Sequence, residues 1–130
     1  MFDVKATVLI VDDDEVTRRL LEKILINNSY KVETAAHGLE GIKKYWRSRP
    51  DLIVLDIQMP VMDGFEFIAE FKKIGDLKRT PIIILTSFET KQAAMAVEGI
   101  DDYFTKPFKM SELVSRIDEL ILKKNAENSP

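Results

Sequence analysis

Short runs of Val, Ile and Leu that do not alternate with polar residues, each halted by a charged residue, constrain this chain more than any other feature. Val8-Leu9-Ile10-Val11 stops at Asp12-Asp13-Asp14, Leu52-Ile53-Val54-Leu55 stops at Asp56, and Tyr103-Phe104-Thr105 stops at Lys106-Pro107. Unalternating apolar runs of this length read as strands buried on both faces, the pattern of a parallel sheet covered by helices. Ligands of such sheets gather at the carboxyl ends of the strands. As neighbours, these three strands bring Asp12, Asp13, Asp56 and Lys106 to one small pocket. Carboxylates crowded against a single ammonium make a site for a divalent cation and a phosphoryl group.

Between the strands the period changes to that of a helix. Val16, Leu20, Leu21, Ile24 and Leu25 recur at helical spacing, and Asn27-Asn28 marks a stop. Residues Tyr30 to Ala35 are less apolar and predict an edge or near-edge strand. Leu39, Ile42 and Trp46 predict a second helix, with Trp46 as a packing residue, closed by Arg49-Pro50. Asp63 and Glu66 have the spacing of a reciprocal cap for a third helix, which buries Phe67 or Ile68, then Phe71 and Ile74. Pro81 opens the strand Ile82 to Leu85. An alanine-rich helix spans about Thr90 to Val97 and ends near Gly99, ahead of the strand Asp102 to Thr105. Met110, Leu113, Val114, Ile117, Ile121 and Leu122 trace the stripe of a closing helix. Strict alternation of five strands and five helices predicts an α/β fold: a doubly wound five-stranded parallel sheet with helices on both faces. Residues 1–124 form the domain. Asn125 to Pro130, polar and without apolar anchors, reads as a disordered tail or the start of a linker.

Composition removes several classes of function. At 130 residues the chain fits one domain, and its net charge of −3 gives no general attraction to nucleic acid or to an anionic membrane. Lys43, Lys44, Arg47 and Arg49 cluster locally and read as a solvated helix face. The absence of cysteine excludes disulfides, thiolate catalysis and zinc–cysteine sites. The first apolar run is too short for a signal peptide, and no stretch approaches the roughly 18 apolar residues that span a bilayer. A cytoplasmic location is the expectation.

The motifs then fall together. Val11-Asp12-Asp13-Asp14, the segment Leu55-Asp56-Ile57-Gln58-Met59-Pro60-Val61-Met62-Asp63-Gly64, Thr86 after an isoleucine run, and Asp102-Tyr103-Phe104-Thr105-Lys106-Pro107-Phe108 resemble the receiver domains of two-component response regulators. The resemblance runs from about Val8 to Leu122. It implies a flavodoxin-like receiver fold and a signalling switch rather than a metabolic enzyme. Asp56 would accept a phosphoryl group from a partner phosphohistidine and lose it again by slow hydrolysis.

Each role has a physical reason. A carboxylate is a usable nucleophile towards phosphorus once the phosphoryl oxygens are neutralised. By resemblance, Asp12, Asp13 and the backbone carbonyl of Gln58 join Asp56 in holding Mg2+, or another divalent cation such as Mn2+. Like charges about 4 Å apart repel by roughly 4 kcal/mol at an effective dielectric of 20, and a hard cation relieves this. Asp14 solvates the loop or starts the helix. Lys106 would hold one phosphoryl oxygen and the Thr86 hydroxyl another, with Ser87 adding a backbone amide nearby. The family usually has a cis peptide at Pro107, which directs the lysine. Thr86 and Tyr103 would form the switch: phosphorylation draws Thr86 inward and the Tyr103 ring follows.

The implied partners are a histidine kinase or phosphotransfer domain as donor, since His37 sits at a loop or helix start and suits no donor role. The output is a downstream protein, or a second copy, met through the face of the fourth helix, fifth strand and fifth helix, with no direct nucleic acid and no membrane contact. Ile100 and Phe88 depart from the family's commonest pattern, and Phe88 stands near enough to shield the phosphoryl group. Three other readings compete. A dehalogenase-type hydrolase needs an acid where Gln58 stands, a flavodoxin-like carrier needs a Ser/Thr/Gly phosphate loop where four acids stand, and a constitutive interaction module would make phosphorylation incidental.

Overall fold

Strand residues of opposite parity feed two separate cores, one on each face of a single sheet. The computed structural model describes residues 4–74 and 80–127. Along them run β1 (Thr7–Val11), α1 (Glu15–Asn27), β2 (Lys31–Ala35), α2 (Gly38–Ser48), β3 (Leu52–Asp56), α3 (Gly64–Ile74), β4 (Ile82–Thr86), α4 (Lys91–Met95), β5 (Asp102–Thr105) and α5 (Met110–Glu127). The sheet is parallel throughout, in the order β2-β1-β3-β4-β5, so β2 is an edge strand and the expected fold is the observed one.

Successive side chains of a strand point to opposite faces. Leu9, Val11, Ile53, Leu55, Ile82 and Ile84 therefore meet Tyr45 of α2, Phe67 and Phe71 of α3 and Ala94 of α4. Val8, Ile10, Leu52, Val54, Ile83 and Leu85 meet Leu21 and Leu25 of α1 and Leu113, Ile117 and Ile121 of α5. Tyr45 stands edge-on to Phe71 at 4.8 Å, and Phe71 is stacked with Phe67 at 6.1 Å, which locks α2 to α3. The cap of α3 closes as the sequence predicts: the Glu66 amide donates to the Asp63 carboxylate at 2.9 Å and the Asp63 amide to Glu66 at 3.3 Å.

Several local readings change. Val16 and Leu20 are exposed rather than buried, because α1 meets the sheet through Leu21 and Leu25 one helical stripe further round. They line a shallow groove with Pro107, Phe108 and Met110. On α2 the core aromatic is Tyr45, not Trp46, since neighbouring helical residues point about 100° apart. Trp46 is half-exposed, with the Arg49 guanidinium over its ring at 4.3 Å. The fourth helix is shorter than its alanine content suggests, and Ala94 is its one buried residue. The last helix continues through Asn125–Glu127, residues that read as a tail by composition. Lys124 ties its final turns to Asp51 at 3.2 Å, and residues 128–130 lie outside the described part.

Gly64 sets how closely α3 approaches β3. Its amide donates to the Ile57 carbonyl at 2.8 Å, and a Cβ there would fall 2.7 Å from the Ile57 Cα and 2.8 Å from the Asp56 carbonyl oxygen. Backbone cannot give way as a flexible side chain can, so Gly64→Ala must move the loop that follows Asp56. The expected loss of stability is about 1–3 kcal/mol, read as a lower urea midpoint at unchanged slope. An unchanged midpoint would refute the close-packing account.

Candidate functional site

Sheet register converts four separated positions into one site. Val11 is paired with Leu55, Asp56 with Leu85 and Thr86 with Thr105. Asp12, Asp56, Thr86 and Lys106 therefore leave β1, β3, β4 and β5 at the same edge of the sheet. Backbone hydrogen bonds carry the alignment past the strand ends: the Ile57 amide donates to the Leu85 carbonyl at 3.1 Å and the Lys106 amide to the Thr86 carbonyl at 2.8 Å. The chain passes from β1 to β2 on one side and reaches β3 on the other, so the crevice of the sheet opens between Asp12 and Asp56.

Carboxylate oxygens of Asp12, Asp13 and Asp56 all lie within 4.8 Å of one another. Asp12 is fully buried, Asp56 is 5% exposed and Asp13 faces solvent, so the cluster opens to solution on one side. The Lys106 ammonium sits 3.3 Å from Asp12 and 3.5 Å from Asp56, the one cationic side chain paired with these carboxylates among the described residues. Asp12 is held from behind, with one carboxylate oxygen accepting the Asp14 amide at 2.9 Å and its carbonyl accepting the Arg18 guanidinium at 2.8 Å. Asp56 accepts a long bond from the Gln58 amide at 3.4 Å. Asp14 precedes α1, where the Thr17 hydroxyl donates to its carboxylate and holds its pKa below the usual value.

One ammonium does not neutralise three acids. Burial, and after it the Asp12 charge, pushes the Asp56 carboxyl from 3.8 up to about 7, against the opposing pull of Lys106. Burial works against the charged form of Lys106, but Asp56 and Asp12 outweigh it and raise the ammonium's pKa.

The other residues that the sequence singles out occupy varied settings. Thr86 is fully buried at the end of β4, and its hydroxyl contacts Thr90 and the Ser87 carbonyl. Lys106-Pro107 is cis, as the resemblance implies. Tyr103 lies on β5 with its ring against the α2–α3–α4 core and its hydroxyl donating to the Val97 carbonyl at 3.1 Å. Phe88 is 81% exposed, so its ring lies in solvent in this arrangement. His37 caps α2, its Nδ1 accepting the Glu40 amide at 3.3 Å, which is a structural task. Reading the sequence found no part for Arg18 or Thr90. Only the spacing of Thr86 and Thr90, four residues apart across a strand-to-helix turn, could have hinted at the second.

Stability should respond to Asp56. Without divalent cations, the folded protein keeps the Asp56 proton to about pH 7, whereas an ordinary carboxyl loses it near 3.8. The native state thus binds more protons than the unfolded state across that window, and stability falls as pH rises through it. Urea titrations with a chelator at pH 5 and pH 8 should show this fall in the parent and a smaller one in Asp56→Asn. At pH 8 the variant should be more stable by roughly 1–3 kcal/mol. Equal pH dependence in the two proteins would contradict the assignment.

Comparison with known proteins points in one direction. Residues 8–118 match the response regulator receiver domain family. Over 125 residues, 95% of this chain and 54% of the relative, the sequence is 36% identical to response regulator MprA of Mycobacterium sp. (strain KMS). The chain spans about half the length of the curated relatives it matches. Among solved structures, a response regulator receiver domain protein from Clostridium thermocellum superposes with a TM-score of 0.85 at 26% identity, covering 93% of this chain and 98% of that one. Response regulator TrrA from Thermotoga maritima, solved in complex with Mg(2+)-BeF, gives 0.77 at 33% identity, covering 88% of this chain and 97% of its own.

Proposed function

The chain belongs to the response regulator receiver family of two-component signalling, and from that premise we propose that it accepts a phosphoryl group on Asp56 from a partner phosphohistidine. The observation that carries this reading is the juxtaposition of Asp56 with two further carboxylates and Lys106 at the crevice of the sheet. An Asp56 oxygen attacks phosphorus as the donor's P–N bond breaks. The electron pair of that bond leaves with the imidazole nitrogen, which takes a proton from solvent. A histidine kinase or a phosphotransfer domain is the donor.

The three carboxylates fit one hard cation. Their oxygens are close enough to share it, one acid is open to solution, and hard oxygen donors suit Mg2+ or Mn2+. Asp12, Asp13, Asp56 and the Gln58 carbonyl would hold it, and Mg2+ would there neutralise charge on the carboxylates and on the phosphoryl oxygens. Lys106 supplies a point charge for one phosphoryl oxygen, oriented by its backbone bond to Thr86. The Thr86 hydroxyl takes another. Arg18 and the Asp14 amide keep Asp12 pointed into the site.

The output is a change of protein contacts on the α4–β5–α5 face, towards a downstream protein or a second copy. Support comes from the contrast between Tyr103, on the partly buried strand β5, and Thr86, fully buried on the adjacent strand. Tyr103→Ala should still load at Asp56 but lose the phosphorylation-dependent change in amide exchange across α4 and β5. An unaltered exchange change would remove Tyr103 from the switch.

Intact mass after incubation with acetyl phosphate tests the core of the proposal. The parent should gain one phosphoryl group only with Mg2+, and Asp56→Asn should gain none. If acetyl phosphate and a phosphorylated histidine kinase both fail to load the folded parent, the chain acts as a constitutive interaction module instead.

A further inference from the structure

The hydroxyl that the proposed function assigns to the phosphoryl group already has a partner. Thr86 Oγ1 lies 2.5 Å from Thr90 Oγ1 and 3.2 Å from the Ser87 carbonyl. Thr90 Oγ1 in turn lies 3.0 Å from the Ser87 hydroxyl and 3.4 Å from the Ser87 carbonyl. Thr90 is the residue at which α4 begins, and its carbonyl accepts the Ala94 amide at 3.0 Å. Two residues beyond α4, the Val97 carbonyl accepts the Tyr103 hydroxyl. The segment between Thr90 and Val97 is thus tied at one end to Thr86 and at the other to Tyr103.

We propose that Thr90 is a positioning residue whose hydroxyl holds Thr86 in the unphosphorylated arrangement, and that the α4 segment transmits the release of this bond to Tyr103. The inference rests on the reading that Thr86 contacts the phosphoryl group. A hydroxyl carries one proton and donates it to one acceptor at a time. With the Thr90 proton directed to the Ser87 carbonyl, Thr86 is the donor to Thr90, and in that arrangement it cannot also donate to a phosphoryl oxygen. Thr90 does not oppose the exchange absolutely, because the Ser87 hydroxyl and carbonyl remain beside it when Thr86 leaves. The result is a competition in which the Thr90 bond lowers the population competent to bind, and with it the apparent affinity. The α4 segment suits the transmitting role, since Ala94 alone anchors the helix in the core.

Two substitutions move this competition in opposite directions. Thr90→Val keeps the shape and removes the rival hydroxyl. Ser87→Ala removes the nearer of the two groups that receive Thr90 when Thr86 departs, the hydroxyl, and leaves the carbonyl. The probe is beryllofluoride with Mg2+, a phosphoryl analogue, titrated into the full chain and followed by NMR, with Asp56→Asn as the control for site dependence. Thr90→Val should bind roughly threefold to tenfold more tightly than the parent, the effect of one net hydrogen bond. Its free-state Tyr103 ring signals should shift towards the parent's saturated positions. Thr90→Ser, which restores the hydroxyl, should return affinity to within about twofold of the parent. Ser87→Ala should bind more weakly, and it tests the same competition should the valine variant fold poorly. Affinity at or below the parent's in Thr90→Val, or at or above it in Ser87→Ala, would overturn the proposal while the parent still saturates through Asp56. A parent that does not bind would instead bring down the receiver reading, and this inference with it.

Discussion

Mutual repulsion of the carboxylates at the ends of β1 and β3 is the constraint on which the rest of the structure turns. Strands β1 and β3 are buried along almost their whole length and held in register on both sides, so their ends cannot drift apart to relieve it. Lys106 offsets part of the charge from β5. The remainder is borne by the two apolar cores, and burial, with the Asp12 charge after it, leaves Asp56 with a carboxyl that resists ionisation. A fold that holds like charges together in this way is poised to gain from any ligand that neutralises them. A hard divalent cation, as in the proposed function, would supply that neutralisation.

Stability is distributed unevenly around that site. On one side α2 and α3 are clamped by Tyr45, Phe67 and Phe71. On the other, α4 has five residues and a single buried alanine, and its ends depend on side-chain hydrogen bonds from Thr86 and Tyr103. Motion coupled to events at Asp56 should therefore concentrate in α4, the helix with the fewest buried residues. The arrangement is coherent with a switch: a rigid half that holds the acids, and a loosely seated half whose attachment includes the Thr86 hydroxyl.

Legibility in the sequence followed the range of each interaction. Asp12, Asp56 and Lys106 could be read because each ends an apolar run, and a parallel sheet brings strand ends together. The α3 cap could be read because Asp63 and Glu66 interact within one helical turn. Trp46 misled because Tyr45 precedes it, and hydrophobicity alone does not say which of two adjacent aromatics faces a sheet. Val16 and Leu20 misled for a similar reason: the apolar stripe of α1 is broader than the strip of sheet it covers. Asn125–Glu127 was misread because polar composition says nothing of a helix anchored a turn earlier by Lys124. Arg18 and Thr90 stayed invisible because their contacts are side-chain hydrogen bonds, which leave no periodic trace.

By itself, the sequence determined the alternation of strands and helices, their number, the parallel sheet and the end of the sheet at which the acids collect. Those properties come from local period and from the burial of short apolar runs, and both are written in neighbouring residues. Only the tertiary structure decided the separations among Asp12, Asp13 and Asp56, the seating of Lys106 between two of them, and the pairing of Thr86 with Thr90. These depend on strand register and on the rotamer each side chain takes against residues distant in the chain. Such contacts exist only after the sheet has closed and the helices have packed upon it.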